Sequence, residues 1–346
     1  MKNSWLQIAL SVLSLALAAT LVVYLPQIVQ ALTGKPVSWT EIGREFAALN
    51  PAVIGLMAVT WLGSLLAYTF VLTNSLPGLT HMQALTLNAA GSAVSNLLPF
   101  GGAAGVALTF AMTRGWGFAN RPIVVMTLVS GVWNMLFRFL LPAVGIIALL
   151  IAGVVPDPEV ARLAWTGALS LLGLVAVLAA AIYWDRAAQL LGRGLDKVTP
   201  RRFHVAEALH KLRADIAGIV RTRSPGLSAG MAAFLALQWL IMIECLHATG
   251  AYPGLAQSVA VFAVSRVLTS ALVTPSGAGI MEGGVVLLLT QVFGVAAASA
   301  TAAALLFGFW TYTIEIPFGG LALGGWALFR RRGGRAATAE PVRAEQ

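Results

Sequence analysis

The chain has 346 residues, of which 58% are hydrophobic and 10% charged, and its mean hydropathy is +0.84. Soluble domains carry about 25% charged residues, so these figures exclude an ordinary water-soluble enzyme, a disordered protein and a secreted disulfide scaffold, and they leave an integral membrane protein. The net charge of +9, from 22 Lys+Arg against 13 Asp+Glu, points to cytoplasmic loops facing anionic headgroups rather than to nucleic acid. Cys245 is the only cysteine and the four histidines show no ligand spacing, so no disulfide, metal or cofactor is expected.

In chain order, apolar runs of the roughly 20 residues that span a bilayer fall at about 5–25, 52–73, 123–152, 161–183, 226–248 and 300–328. The first reads as a retained anchor, because it is longer than a signal core and no clear cleavage site follows. Asn50-Pro51 and Ser224-Pro225 mark helix starts, and Pro122 opens the third span. Two further apolar regions, 82–113 and 257–294, are broken in the middle. The first reads Asn96-Leu97-Leu98-Pro99-Phe100-Gly101-Gly102-Ala103-Ala104-Gly105 and the second Thr274-Pro275-Ser276-Gly277-Ala278-Gly279-Ile280-Met281-Glu282. An arm such as 102–113 rises about 18 Å as a helix, short of a hydrocarbon core of about 30 Å. Both regions are therefore predicted to be re-entrant hairpins. Pro99, Gly101, Gly102 and Gly105 shape one tip, and Pro275, Gly277 and Gly279 the other.

The basic residues of 184–225 and of the tail from Arg330 belong in the cytoplasm, and Lys2 places the N-terminus there too. Three full spans then separate the hairpins, so the second is inverted relative to the first, a pattern found in transporters. The expected fold is an all-α polytopic membrane bundle with an inverted repeat, forming one domain over 1–328. Its halves, 1–183 and 226–328, are joined by the basic segment 184–225, and 329–346 reads as a disordered tail. Val205, Leu209, Leu212, Ile216 and Ile219 fall on one helical face. Two readings of that stripe are open: a surface helix that gathers anionic inner-leaflet lipid, together with 330–335, or a connector packed on the bundle.

Five ionisable residues lie inside predicted membrane segments: Arg138, Glu244, Arg266, Glu282 and Glu315. A charge at the bilayer centre costs about 2.5–3.5 kcal/mol on insertion scales, so such groups pair, face the interior or line a wet cavity. One reading gives Arg138 and Arg266 an anionic headgroup, with Glu282 and Glu315 holding a proton or orienting the arginines. The other makes them ion pairs that lock the two halves together. Glu244 lies near an outer end, where water is within reach. Asn96, beside the first tip, is placed to bond freed backbone or a ligand. Pro317 is expected to kink the last span one turn back. No GxxxxGK[ST], GxSxG or HExxH pattern occurs, so enzyme chemistry is not expected.

The two hairpin motifs, with Ser265-Arg266 and the run from Ser130 through Arg138 to Pro142, resemble the lysylphosphatidylglycerol synthetase transmembrane-region family, a flippase-like domain, over most of 5–328. That resemblance implies lipid translocation between leaflets, best known for aminoacylated phosphatidylglycerol. The family's lysyl-transfer activity resides in a separate soluble domain that this sequence does not contain, so the enzymatic name does not carry over. Many relatives have Tyr-Arg where this chain has Phe110-Ala111, and an arginine near Gly308. Headgroup contact here therefore falls to Arg138 and Arg266.

The expected protein is a multi-pass bacterial inner-membrane protein with both termini cytoplasmic. It moves an amphiphilic, anionic lipid or lipid-linked precursor, with a homo-oligomer or an enzyme as candidate partner. Two alternatives stand beside it: a non-transporting scaffold for a lipid-modifying or cell-wall enzyme, and a transporter of a soluble ion or solute.

Overall fold

A computed structural model describes residues 4–98, 101–155, 157–183, 206–269 and 274–338, and all regular structure among them is helical. Helix α1 (Ser4–Val23) bends by 61° into α2 (Leu25–Thr33). Pro26 lies in the first turn of α2, where its missing N–H removes no helical bond. A capping box of Ser38 and Glu41 opens α3 (Trp39–Ala47). The Asn50 side chain accepts from the backbone of Ala52 at 2.9 Å and starts α4 (Pro51–Ser75), as its Asn-Pro pair predicts.

Thr80 and Gln83 form a second capping box at the head of α5 (His81–Leu97), and α6 (Gly101–Gly115) follows after a break. The two helices run antiparallel against each other. Gly91 faces Thr109, and Ser95 faces both Gly101 and Gly105. A Cβ on Gly101 would overlap the Ser95 carbonyl oxygen, so only glycine permits this return of the chain. Two long helices come next, α7 (Asn120–Ile151) and α8 (Pro158–Tyr183), and then α9 (Ala206–Ala248).

The second broken region repeats the first. Helix α10 (Leu255–Leu268) is followed by a short 3-10 turn at Pro275–Gly277 and by α11 (Ile280–Leu287), which a π turn extends through Val292. Gly277 takes a φ of +71° with its Cβ position 2.6 Å from the Leu268 carbonyl oxygen, so turn and close approach both require glycine here. The last span is α12 (Ala297–Gly308), a π turn at Phe309–Thr313 and α13 (Glu315–Thr338). The Ile314 N–H reaches back five residues to the Phe309 carbonyl at 3.0 Å. This wide turn is the form taken by the distortion expected ahead of Pro317.

Helices α4, α7, α8, α9 and the joined α12–α13 are long and apolar enough to cross a membrane, and the bent α1–α2 pair brings the number of candidate spans to six. The arms of the two hairpins have 17 and 15 residues in the first and 14 and 8 in the second, before its π turn. The protein is an all-α, multi-pass membrane bundle. Met57, Leu65, Met242, Phe262 and Phe307 mark the main core, where α4, α9, α10 and α12 pack together.

Two features differ from the sequence reading. Pro225 does not start a helix but lies inside α9, and residues 206–225 are the first turns of the same helix as the 226–248 span. Packing explains the override. The Cβ position of Gly226 lies 2.6 Å from the Asn74 side chain and that of Gly230 2.9 Å from Phe70, so α4 grips the helix just beyond the proline. Ile216 and Ile219, at the described end of the apolar stripe, pack against the bundle beside Val71, Trp133 and Leu227, as the connector reading expects. The region read as a tail from residue 329 continues as helix to Thr338. Pro99 and residues 184–205 and 339–346 lie outside the described residues, and Pro275 is described by its backbone alone.

Helices α13 and α5 approach most closely at Gly319, whose Cβ position overlaps the Ala89 carbonyl oxygen, whereas nothing lies within 4 Å of that of Gly320. Gly319→Ala is expected to destabilise the protein by about 1–3 kcal/mol through overpacking, with Gly320→Ala at or above wild-type stability. Thermal unfolding in detergent measures both. Equal behaviour of the two variants contradicts the packing.

Candidate functional site

Polar side chains inside apolar helices fall into short ladders, and the ladders converge. On α5, Asn88, Ser92 and Asn96 are spaced by four, which stacks them on one helical face. On α7, Ser130, Asn134 and Arg138 have the same spacing. Arg266 lies in the last turn of α10 and Thr269 caps that helix, and the last span contributes Thr311 and Glu315, again four apart. Apart from Ser130, which lines the larger cavity described below, these residues, with Tyr68 of α4, Gln238 of α9 and Ser276 of the second hairpin turn, surround a polar chamber of about 220 Å³.

Asn96 joins the elements around this chamber. Its amide nitrogen donates to the Glu315 carboxylate at 3.0 Å and to the Tyr312 carbonyl at 3.3 Å, and its amide oxygen accepts from the Ser276 hydroxyl. One side chain thus ties the end of the first hairpin to the turn of the second and to the π turn of the last span. Ser92, one turn before Asn96 on α5, lines the chamber beside Glu315. The Arg266 charge interacts with that of Arg138 and with Glu315, so a cationic pair and one carboxyl share the chamber. Tyr68 and Asn134 line the same chamber, and Tyr68 lies within electrostatic reach of Arg138.

A second, larger cavity of about 990 Å³ adjoins the chamber. The two share Tyr68, Asn88, Ser92, Asn96, Asn134, Arg138 and Thr269 in their linings. Away from that shared wall the larger cavity is lined mainly by apolar side chains, among them Leu87, Val106, Met126, Met135, Phe139 and Leu171. Met135 of α7 is 60% exposed and Val106 of α6 48% exposed, so the lining of the cavity reaches the surface at these two helices. The site therefore offers fixed charge and hydrogen-bonding groups at one end and an apolar slot open to the side at the other.

The structure brings together four of the five site residues named from the sequence, Asn96, Arg138, Arg266 and Glu315. Glu282 stands apart from them. It is 1% exposed and caps α11, accepting the Gly279 N–H at 2.7 Å. The hairpin turn ends at Gly279, so the carboxylate three residues on satisfies a backbone N–H that the new helix leaves free. Among the tip glycines, Gly102 and Gly105 line the larger cavity, while Gly101, Gly277 and Gly279 are consumed in close packing, the last against Leu21 of α1. Glu244 does not reach water as expected. It is 9% exposed and takes the Thr60 hydroxyl at 2.8 Å. Tyr68, Asn88, Ser92, Asn134, Gln238, Thr269, Ser276 and Thr311 were not singled out from the sequence as site residues. The signal that finds four of them, Asn88, Ser92, Asn134 and Thr311, is polar side chains repeating at steps of four within an apolar run.

The bond network predicts energetic coupling between the hairpins. A double-mutant cycle of Asn96→Ala and Ser276→Ala, read by unfolding in detergent, should give a coupling of about 0.6–1.7 kcal/mol, the range found for side-chain bonds between membrane helices. Strict additivity contradicts the tie.

No curated protein matches the chain. Residues 5–319 match the sequence pattern of the family described as the lysylphosphatidylglycerol synthase TM region, which covers α1 through the start of α13 and both hairpins. The chain belongs to that family.

Proposed function

We propose that this protein moves an anionic, amphiphilic lipid between the leaflets of the bacterial inner membrane. The observation that carries the reading is the junction of a chamber holding Arg138 and Arg266 with a large apolar cavity open on the flank of the bundle. A headgroup phosphate is the natural counter-ion for two guanidinium groups in an apolar setting, and acyl chains fill an apolar slot that faces lipid. Membership of a family described by a lipid-modifying enzyme's membrane region agrees with this.

In this reading the two helical hairpins are re-entrant and inverted. Their short arms end at the chamber from opposite sides, and irregular backbone at membrane depth is tolerated because it lines a cavity. Both termini are cytoplasmic, and the chain itself catalyses no covalent chemistry. A scaffold would have no use for a lined cavity of this size, and a pathway for a soluble solute would not need an apolar side opening.

Reconstitution tests this. Proteoliposomes containing the protein should move a fluorescent phosphatidylglycerol across the bilayer faster than protein-free vesicles. Arg138→Gln with Arg266→Gln should slow the movement about tenfold or more, the scale of losing charge-assisted bonds. Unchanged movement in the double variant, at equal incorporation, sinks the reading.

A further inference from the structure

Glu244 is a carboxyl that the polar chamber does not use. It lies one turn inside the C-terminal end of α9 and reaches across to α4, where its Oε1 accepts the Thr60 hydroxyl at 2.8 Å. The residue is 9% exposed, and its Oε2 is buried with no hydrogen-bond partner among the described residues. No counter-ion faces it there. Of the helices packed on α9, α12 holds no ionisable side chain, and α4 holds only Tyr68, two turns along from Thr60 in the chamber wall. Arg138 of α7 and Arg266 of α10 interact with each other in the chamber, and Arg266 also with Glu315. Arg121 stands at the start of α7, the end far from Glu244, and Glu159 and Arg162 of α8 are exposed. On α9 itself the carboxyl is flanked by the buried Cys245 thiol and by His247, which is exposed and stacked on Tyr252.

An ionised carboxylate held by one hydroxyl among apolar side chains loses far more solvation than that bond returns, so such a group keeps its proton instead. Helix α4 precedes the first hairpin and α9 the second, and the two form the most extensive helix contact among the described residues. We infer that Glu244 is a proton-binding site, and that its proton passes to water only when α4 and α9 part beside Thr60. The bound proton clamps the interface, and the carboxylate left by its release loosens it. The same interface reaches the chamber. Four residues along from Thr60, the Ser64 hydroxyl donates to the Trp61 carbonyl at 2.7 Å. Its oxygen accepts at 3.2 Å from the amide nitrogen of Gln238, which lines the chamber. Proton exchange at Glu244 therefore acts on the chamber wall through the packing of α4 on α9, whatever molecule the chamber holds.

Infrared spectroscopy of the full chain in detergent at neutral pH tests the proton. Wild-type protein should show a protonated-carboxyl C=O band that Glu244→Gln removes. Thr60→Val keeps the carboxyl but withdraws its hydrogen bond, and should move that band to higher frequency. Hydrogen exchange tests the clamp. As pH is raised, the backbone amides of α4 around Thr60 should come to exchange about fivefold faster in wild type than in Glu244→Gln at the same pH, the scale of a modest loss of local stability. Comparison at one pH removes the intrinsic dependence of exchange on pH. If Glu244→Gln fails to fold, Thr60→Val alone decides the proton site, and Glu244→Met, equally unable to ionise, takes its place in the exchange measurement. Absence of the band from wild type, or a band that Thr60→Val leaves in place, overturns the proton site. Equal exchange in the two proteins at every pH overturns the clamp. Neither measurement involves lipid, so both outcomes are separate from the fate of the transport reading.

Discussion

Two guanidinium groups inside an apolar bundle set the terms for everything around them. Each charge costs about 2.5–3.5 kcal/mol to place among hydrocarbon on insertion scales, and two of them close together repel. The surroundings reduce that cost with side chains that would otherwise be out of place: Asn88, Ser92 and Asn96 on α5, Tyr68 on α4, Asn134 on α7 and Glu315 on α13. Each of these sits on a helix, where the backbone bonds are met locally and the side chain is free to turn inward. The ladders at steps of four follow directly, since only residues on one helical face reach the same chamber.

The broken helices serve the same constraint. A continuous helix past the chamber would present only side chains. The turn at Ser276 and the π turn at Phe309–Thr313 instead bring irregular backbone to its wall, and the Tyr312 carbonyl is bonded there by Asn96. Glycine makes both hairpin returns feasible, through the contacts of Gly101 with Ser95 and of Gly277 with Leu268. The consequence is mechanical as well as electrostatic. The first hairpin, the second hairpin and the last span all meet at the one amide of Asn96, so a ligand that competes for Glu315 or for Ser276 acts on three elements at once.

The spans were legible in the sequence because a run of about 20 apolar residues is matched in length to the hydrocarbon core, and Asn50, Pro51 and the Pro-Gly breaks mark helix boundaries by local stereochemistry. Arg138, Arg266 and Glu315 were legible because charge is rare in such runs. What could not be read is what depends on contact between distant parts of the chain. Pro225 resembles a helix start until Gly226 and Gly230 are seen locked against Asn74 and Phe70. Glu282 resembles its fellow intramembrane carboxyl, and only the position of Gly279 shows that it caps a helix. Gln238 gave no local signal at all. A lone glutamine on an apolar helix acquires meaning only when it is found among the residues that line the chamber, with its amide nitrogen bonded to Ser64 of α4.

The central claim is that a lipid occupies both compartments at once, its headgroup beside the arginines and its chains in the apolar cavity. Photocrosslinking with a phosphatidylglycerol that carries a diazirine midway along one acyl chain tests it most directly. The account predicts labelling of the peptides containing Leu87 and Met126, side chains that line the cavity yet are only 2% and 1% exposed. Labelling confined to the outward flank of α8, at Leu163 and Leu169, with Leu87 and Met126 untouched, would contradict it.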